Sequence, residues 1–435
     1  MAISLGFHIV FAEIGIAMPL LMVLAEWRWR RTGDVAYLEL AHRWAKGTAV
    51  LFAVGAVSGT VLSFELGLLW PGFMRFAGPL IGMPFSLEGF AFFLEAIFLG
   101  VYLYGWDRVG PRAHLAAGAI VAASGAASAV FVVLVNAWMN TPVGFTLAVD
   151  GSLASIDPIA AMGSPAAFQQ ALHMLLASYA ATGLAVAGVH ALLLLRGGSP
   201  AFHTRALAVA LAVGAPAAVL QPLSGDVSAR VVAETQPVKL AALESQWRTE
   251  RGAPLRIGGI PDAEREETRW AIEIPHGLSL LAFHDPHAEV KGLEIAPRRD
   301  RPPVAVVHLA FQAMVGLGSA MALVSLWAGW VAWRRRELAS NRALLTALAI
   351  VTPFGFLATE AGWIVTEVGR QPWVVQGVMR TSDAVTPMPG LVIPLTVFTL
   401  LYIGLGTIVV TLTASLVRET ATPRVPETPD ADVAP

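Results

Sequence analysis

Ten ionisable side chains interrupt long apolar runs in this chain: His8, Glu13, Glu65, Glu88, Glu95, His173, His190, His308, Glu360 and Glu367. Such groups are costly at bilayer depth, so they point to ligation, proton relay or coupled transport. A low-spin haem takes an imidazole nitrogen on one face and a thioether sulfur on the other, from helices that meet at one depth. His173 and Met314 suit that requirement. Taken alone, an intramembrane His is as often a helix-to-helix hydrogen bond, and a Met is usually core filler. His190 and His308 fall near helix ends, where interfacial packing accounts for them. Glu88 and Glu95 are seven residues apart, roughly 700° of helical rotation, and so share one face. A carboxylate ladder of this kind suits a proton relay; the alternative is a pair of protonated acids bonded to backbone or Ser. Arg370, just beyond an apolar run, can clamp a carboxylate bidentately or serve as a snorkelling anchor.

The elements that position these groups are membrane spans. Of 435 residues, 56% are hydrophobic and 14% charged, against roughly 25% charge in soluble domains. The absence of Cys removes disulfides, thiolate metal sites, iron–sulfur clusters and covalently attached c-type haem. A net charge of −2 implies no nucleic-acid partner. A bilayer core about 30 Å thick needs roughly 20 residues of helix, and nine runs qualify: 2–25, 47–69, 86–105, 113–136, 166–195, 204–223, 304–333, 343–366 and 391–416. The expectation is an all-α polytopic membrane protein in the bacterial cytoplasmic (inner) membrane. Fifteen Lys and Arg fall on one side of the short connections and three on the other, which puts the N-terminus outside and the C-terminus in the cytoplasm. The first run has no basic leader or small-residue cleavage site and reads as a retained span. On this numbering His8 and His173 lie about two turns into helices 1 and 5, Met314 about three turns into helix 7, and Glu88 opens helix 3. The chain divides into spans 1–6 (1–223), an external polar excursion (224–303) with the character of a functional flap, spans 7–9 (304–416), and a Pro- and acid-rich tail (417–435) expected to be disordered.

At these residues the sequence resembles subunit I of the cytochrome bd-type quinol oxidases. The matches run through most of the chain: Leu87-Glu88-Gly89-Phe90 with Phe92-Phe93-Leu94-Glu95, Gly105-Trp106-Asp107-Arg108, Asn136-Ala137-Trp138-Met139-Asn140, Lys239 to Glu244, Glu360-Ala361-Gly362-Trp363 and Gly369-Arg370-Gln371-Pro372-Trp373. The resemblance implies three non-covalent haems: a low-spin haem b, a high-spin haem b, and a haem d or further haem b. It implies His173 and Met314 as low-spin ligands, and His8 and Glu88 as ligands of the high-spin pair. Glu95 resembles the inner carboxylate of the proton path, with Glu13 a further acid on that route. Trp363, Glu367 and Arg370 correspond to haem-environment residues, and Lys239 and Glu244 to the site in the external loop that binds quinol. Departures are the Glu88-to-Glu95 spacing of seven instead of eight, Gln312 where an Arg is usual, Glu13 for a Pro, and a short external loop.

The activity so implied is oxidation of quinol at the outer face and reduction of O2 to water with cytoplasmic protons, building a proton motive force without a pump. The implied partners are subunit II, with room for a small single-span subunit, besides quinol, O2 and the lipid bilayer. Two other classes compete. A bd-like haem oxidoreductase with a non-quinol donor or no O2 chemistry would keep the ligands, whereas a proton-coupled transporter would need no His and Met at one depth.

Overall fold

The computed structural model describes residues 1–149, 151–334 and 337–421. Helices α1 (Ala2–Thr32), α2 (Val35–Leu69), α3 (Pro71–Tyr104) and α4 (Pro111–Asn140) lead to a hairpin of β1 (Phe145–Leu147) and β2 (Leu153–Ile156), the short α5 (Pro158–Met162), then α6 (Ala167–Leu195) and α7 (Pro200–Thr235). The polar excursion follows as α8 (Pro237–Leu243), β3 (Glu250–Arg251), β4 (Leu255–Ile257), β5 (Ile260–Asp262), β6 (Glu267–Arg269), β7 (Ile272–Ile274), α9 (Gly277–Phe283) and β8 (Glu289–Val290). The chain continues as α10 (Val304–Trp333), α11 (Arg342–Ile350), α12 (Phe354–Val368), β9 (Trp373–Val375), β10 (Met379–Arg380), α13 (Thr381–Ala384) and α14 (Val392–Ala421). Strands pair only in antiparallel twos among the described residues: β1 with β2, β3 with β8, β4 with β7, β5 with β6 and β9 with β10.

Nine helical segments among the described residues are long and apolar enough to span, α11 and α12 together forming one of them. Their limits differ from the expected ones for identifiable reasons. α3 begins at Pro71 and runs through Pro79 and Pro84, as helices inside a bundle tolerate, so Glu88 lies in mid-helix and does not open it. α2 begins at Val35, with Asp34 accepting from the Ala36 N–H at 3.1 Å as its N-cap, and so takes Arg43 and Lys46 into its first turns. α7 runs on to Thr235, so the polar excursion starts at 236, not 224. The expected run 343–366 is interrupted at 351–353, ahead of Pro353, because a proline disfavours helical geometry in the residue before it. α14 extends to Ala421, into the segment read as tail; 422–435 lie outside the described residues.

Small residues let the helices approach closely, as in bundles packed within lipid. A Cβ on Gly183 of α6 would meet the Gly214 Cα of α7 at 2.5 Å, and one on Gly355 of α12 would meet the Ala181 Cα at 2.3 Å. The largest core joins α6, α7, α10 and α11 through residues such as Leu184, Leu207, Met321 and Leu348. A second joins α1 to α4 with the start of α7. These two cores hold rigid the helices that carry the ionisable groups.

Candidate functional site

His8 and His173 are presented in the same way. The Ser58 hydroxyl of α2 donates to the Val54 and Gly55 carbonyls at 2.9 and 3.0 Å, so its lone pairs face the His8 Nδ1, 2.9 Å away. Ser224 of α7 donates to the Gln221 carbonyl at 3.0 Å and meets His173 Nδ1 at 2.7 Å. A hydroxyl engaged with the backbone in this way offers its lone pairs to Nδ1, the arrangement in which Nδ1 carries the hydrogen and Nε2 the lone pair. This is the tautomer that binds a metal, with the outer hydrogen bond that metal-binding histidines ordinarily make. Gly59 provides the space: a Cβ there would come within 3.0 Å of His8 Cε1. The Gln221 amide nitrogen stands 3.1 Å from His173 Nε2, and its Oε1 is buried without a partner. Met314 of α10 rests on α12, where a Cβ on Gly362 would lie 3.0 Å from its sulfur. The glycine of Glu360-Ala361-Gly362-Trp363 is thus the seat of the thioether.

The carboxylate ladder is present. Glu95 is buried on α3 against Gly125 of α4, where a Cβ would come within 3.0 Å of its carboxylate oxygen. Ser128, nearly one turn further along α4, donates to Glu88 at 3.3 Å. One face of α4 therefore serves both acids, one with space and one with a hydroxyl. Glu13 is buried on α1 with Thr359 beside its carboxyl, and Thr182 donates to its backbone carbonyl at 3.2 Å. Sequence reasoning did not place Glu360 in the site. Its Oε1 is buried and unpartnered, and its Oε2 would lie 3.1 Å from a Cβ on Gly6, two residues from His8. The signal available was its position in the same tetrapeptide as Gly362 and Trp363, whose indole N–H is likewise buried and unpartnered. His190, in contrast, is paired to His203 through their Nδ1 atoms at 2.9 Å, a helix-to-helix contact.

A polar cluster closes this end of the bundle. Arg370 is 2% exposed and donates to Glu367 at 2.6 Å, and Glu367 accepts a second bond from Asn136. The Arg370 Nε and Nη1 remain buried with no partner. Unsatisfied buried guanidinium donors are expensive; these two point to opposite sides of the guanidinium, and anionic oxygens such as those of haem propionates would satisfy each. Lys239 of α8 belongs to the same cluster, donating to Asn140 Oδ1 at 3.1 Å and to the Thr366 carbonyl at 3.2 Å. Burial, with help from Arg370, pulls its ammonium down to about 7, against the opposing pull of Glu367. Glu244 lies five residues on from Lys239, roughly 140° around the helix axis, and points elsewhere. It is buried with Oε2 unpartnered, and burial raises it to about 8 against the opposing pull of Arg256. No three His or acidic side chains cluster as a bare-ion site among the described residues.

The family model for cytochrome bd terminal oxidase subunit I matches residues 1–421. The chain is 39% identical over 414 residues to a Bacillus subtilis protein provisionally named cytochrome bd menaquinol oxidase subunit I, covering 94% of this chain and 92% of that one. It is 28% identical over 451 residues to the cytochrome bd-II ubiquinol oxidase subunit 1 of Escherichia coli, covering 88% of each. The solved bd oxidase of Geobacillus thermodenitrificans superposes with a TM-score of 0.90 at 39% identity, covering 96% of both chains. With nine spanning helices, these likenesses make it a multi-pass protein of the bacterial inner membrane. The chain belongs to the cytochrome bd terminal oxidase subunit I family, a subunit of haem-containing respiratory oxidoreductases.

Proposed function

We propose that this chain oxidises quinol at the outer face and contributes the site where O2 becomes water, drawing protons from the cytoplasm and needing no pump. His173 and Met314 would hold a low-spin haem b, and His8 and Glu88 the high-spin pair, of which one is haem b and the other haem d or a further haem b. Glu360 is a second carboxylate suited to the pair. The observation that carries this reading is the serine-fixed tautomer of His8 and His173, with Nε2 left to ligate. Bound haem supplies one-electron carriers and the iron at which O2 is reduced.

The protein's own groups handle protons and orientation. Each quinol gives up two electrons and two protons, and two quinols supply the four electrons that one O2 and four protons need to form two waters. Lys239, held near 7, is half neutral at that pH and can accept a quinol proton; Glu244, held near 8, becomes an acceptor as the pH rises through that value. Glu95 passes protons from the cytoplasmic side along the ladder toward Glu88, with Glu13 on α1 a further acid on that route. Arg370 orients a propionate, with Glu367 holding its other side and Trp363 beside it. Subunit II completes the proton path. The test is the visible spectrum and oxygen uptake of the purified complex: haem bands with quinol-driven uptake are expected, haem bands without uptake point to a different donor or acceptor, and no visible absorption rejects the reading.

A further inference from the structure

We infer that His308 and Gln312 are positioning residues for the quinol site: from one face of α10 they pin the external loop through its backbone. This rests on the quinol-site reading above. His308 is fully buried, with Nδ1 2.7 Å from the Leu243 carbonyl and Nε2 2.9 Å from the Gly258 carbonyl. The ring thus stands between two backbone carbonyls of the external loop and donates to one of them in either neutral tautomer. The side chain is therefore more than the interfacial packing that its place near a helix end suggests.

Gln312, one turn further, makes a second two-point contact with the same hairpin. Its Oε1 accepts from the Gly258 N–H and its Nε2 donates to the Arg256 carbonyl, each at 3.0 Å. Gly258 presents its two backbone groups this way from the left-handed region, at φ 68°. The Arg usual at position 312 in the resembling family has donors only and could not accept the Gly258 N–H. The exchange to Gln is thus accounted for by loop docking, since its amide is spent on backbone.

The consequence lies at both ends of the clamp. Leu243 immediately precedes Glu244, so fixing its carbonyl fixes where that buried carboxyl sits. Met314 follows Gln312 by two residues on the same helix. One short stretch of α10 thereby ties the loop carrying Glu244 to the helix carrying the thioether.

The test uses the complete purified oxidase. Hydrogen exchange across 243–260 should quicken in His308→Gln and in Gln312→Leu, while quinol KM rises by about tenfold, the worth of one such bond. The low-spin band should persist in the difference spectrum. Unchanged exchange in both variants overturns the clamp. Faster exchange with unchanged KM overturns the positioning role, and Glu244→Gln assayed in parallel separates the causes: a raised KM there leaves the quinol site standing, and an unchanged one removes it as well.

Discussion

Replacing Arg370 by Gln tests the anion cradle most sharply, because the structure supplies a magnitude. Two donors, Nε and Nη1, are buried without partners while Nη2 is held by Glu367. If propionate oxygens fill the two free donors, one on each side of the guanidinium, two charge-assisted bonds are lost in Arg370→Gln, each worth about 1.5–3 kcal/mol. Their sum, roughly 3–6 kcal/mol, corresponds to a haem affinity weaker by about 10²–10⁴. Arg370→Lys keeps the charge but not the two donor directions and should fall between. Haem content per polypeptide, measured by extraction after extended dialysis against a haem scavenger, reads this directly. A second readout is Lys239: because Arg370 helps to hold its ammonium down near 7, the Gln variant should move that titration upward. Full retention of haem in Arg370→Gln, with unchanged affinity, would refute the cradle and leave Arg370 a structural cation for Glu367.

Three further outcomes follow from the same geometry. Ser224→Ala frees His173 Nδ1 and should weaken low-spin haem binding by roughly 10–100-fold, the usual cost of a lost outer-sphere partner, measured by haem titration. Because Glu244 is raised to about 8, it is mainly protonated below that pH and a carboxylate above it, so kcat/KM for quinol should climb with pH through about 8; Glu244→Gln should flatten that limb while leaving the haem spectrum intact. Gly125→Ala places a methyl 3.0 Å from Glu95, an overpacking of about 1–3 kcal/mol; oxygen uptake should slow more than haem content falls, and equal losses of both would indicate general misfolding.

Hydropathy made the spans legible because twenty apolar residues have few alternatives to crossing a bilayer. It was less informative about where they begin. The third span is expected to begin at 86, yet α3 starts at Pro71, passes through Pro79 and Pro84, and carries Glu88 to mid-helix. Residue type and depth pointed to His8, His173, Met314 and the acids; they could not show that Ser58 and Ser224 set the tautomers, since those partners lie 50 and 51 residues away. The union of Lys239 with Arg370 and Glu367 was hidden for the same reason: α8 meets the end of α12 only in the folded chain. Gln312 looked like a lost charge, and its purpose emerged once the Gly258 backbone was seen opposite it.

The central claim is that His173 holds a low-spin haem opposite Met314, and the reduced-minus-oxidised spectrum of the purified complex carrying His173→Ala tests it. Loss of the low-spin b signal, with the high-spin bands kept, is the predicted result. A low-spin signal equal to that of the unaltered protein would contradict the assignment.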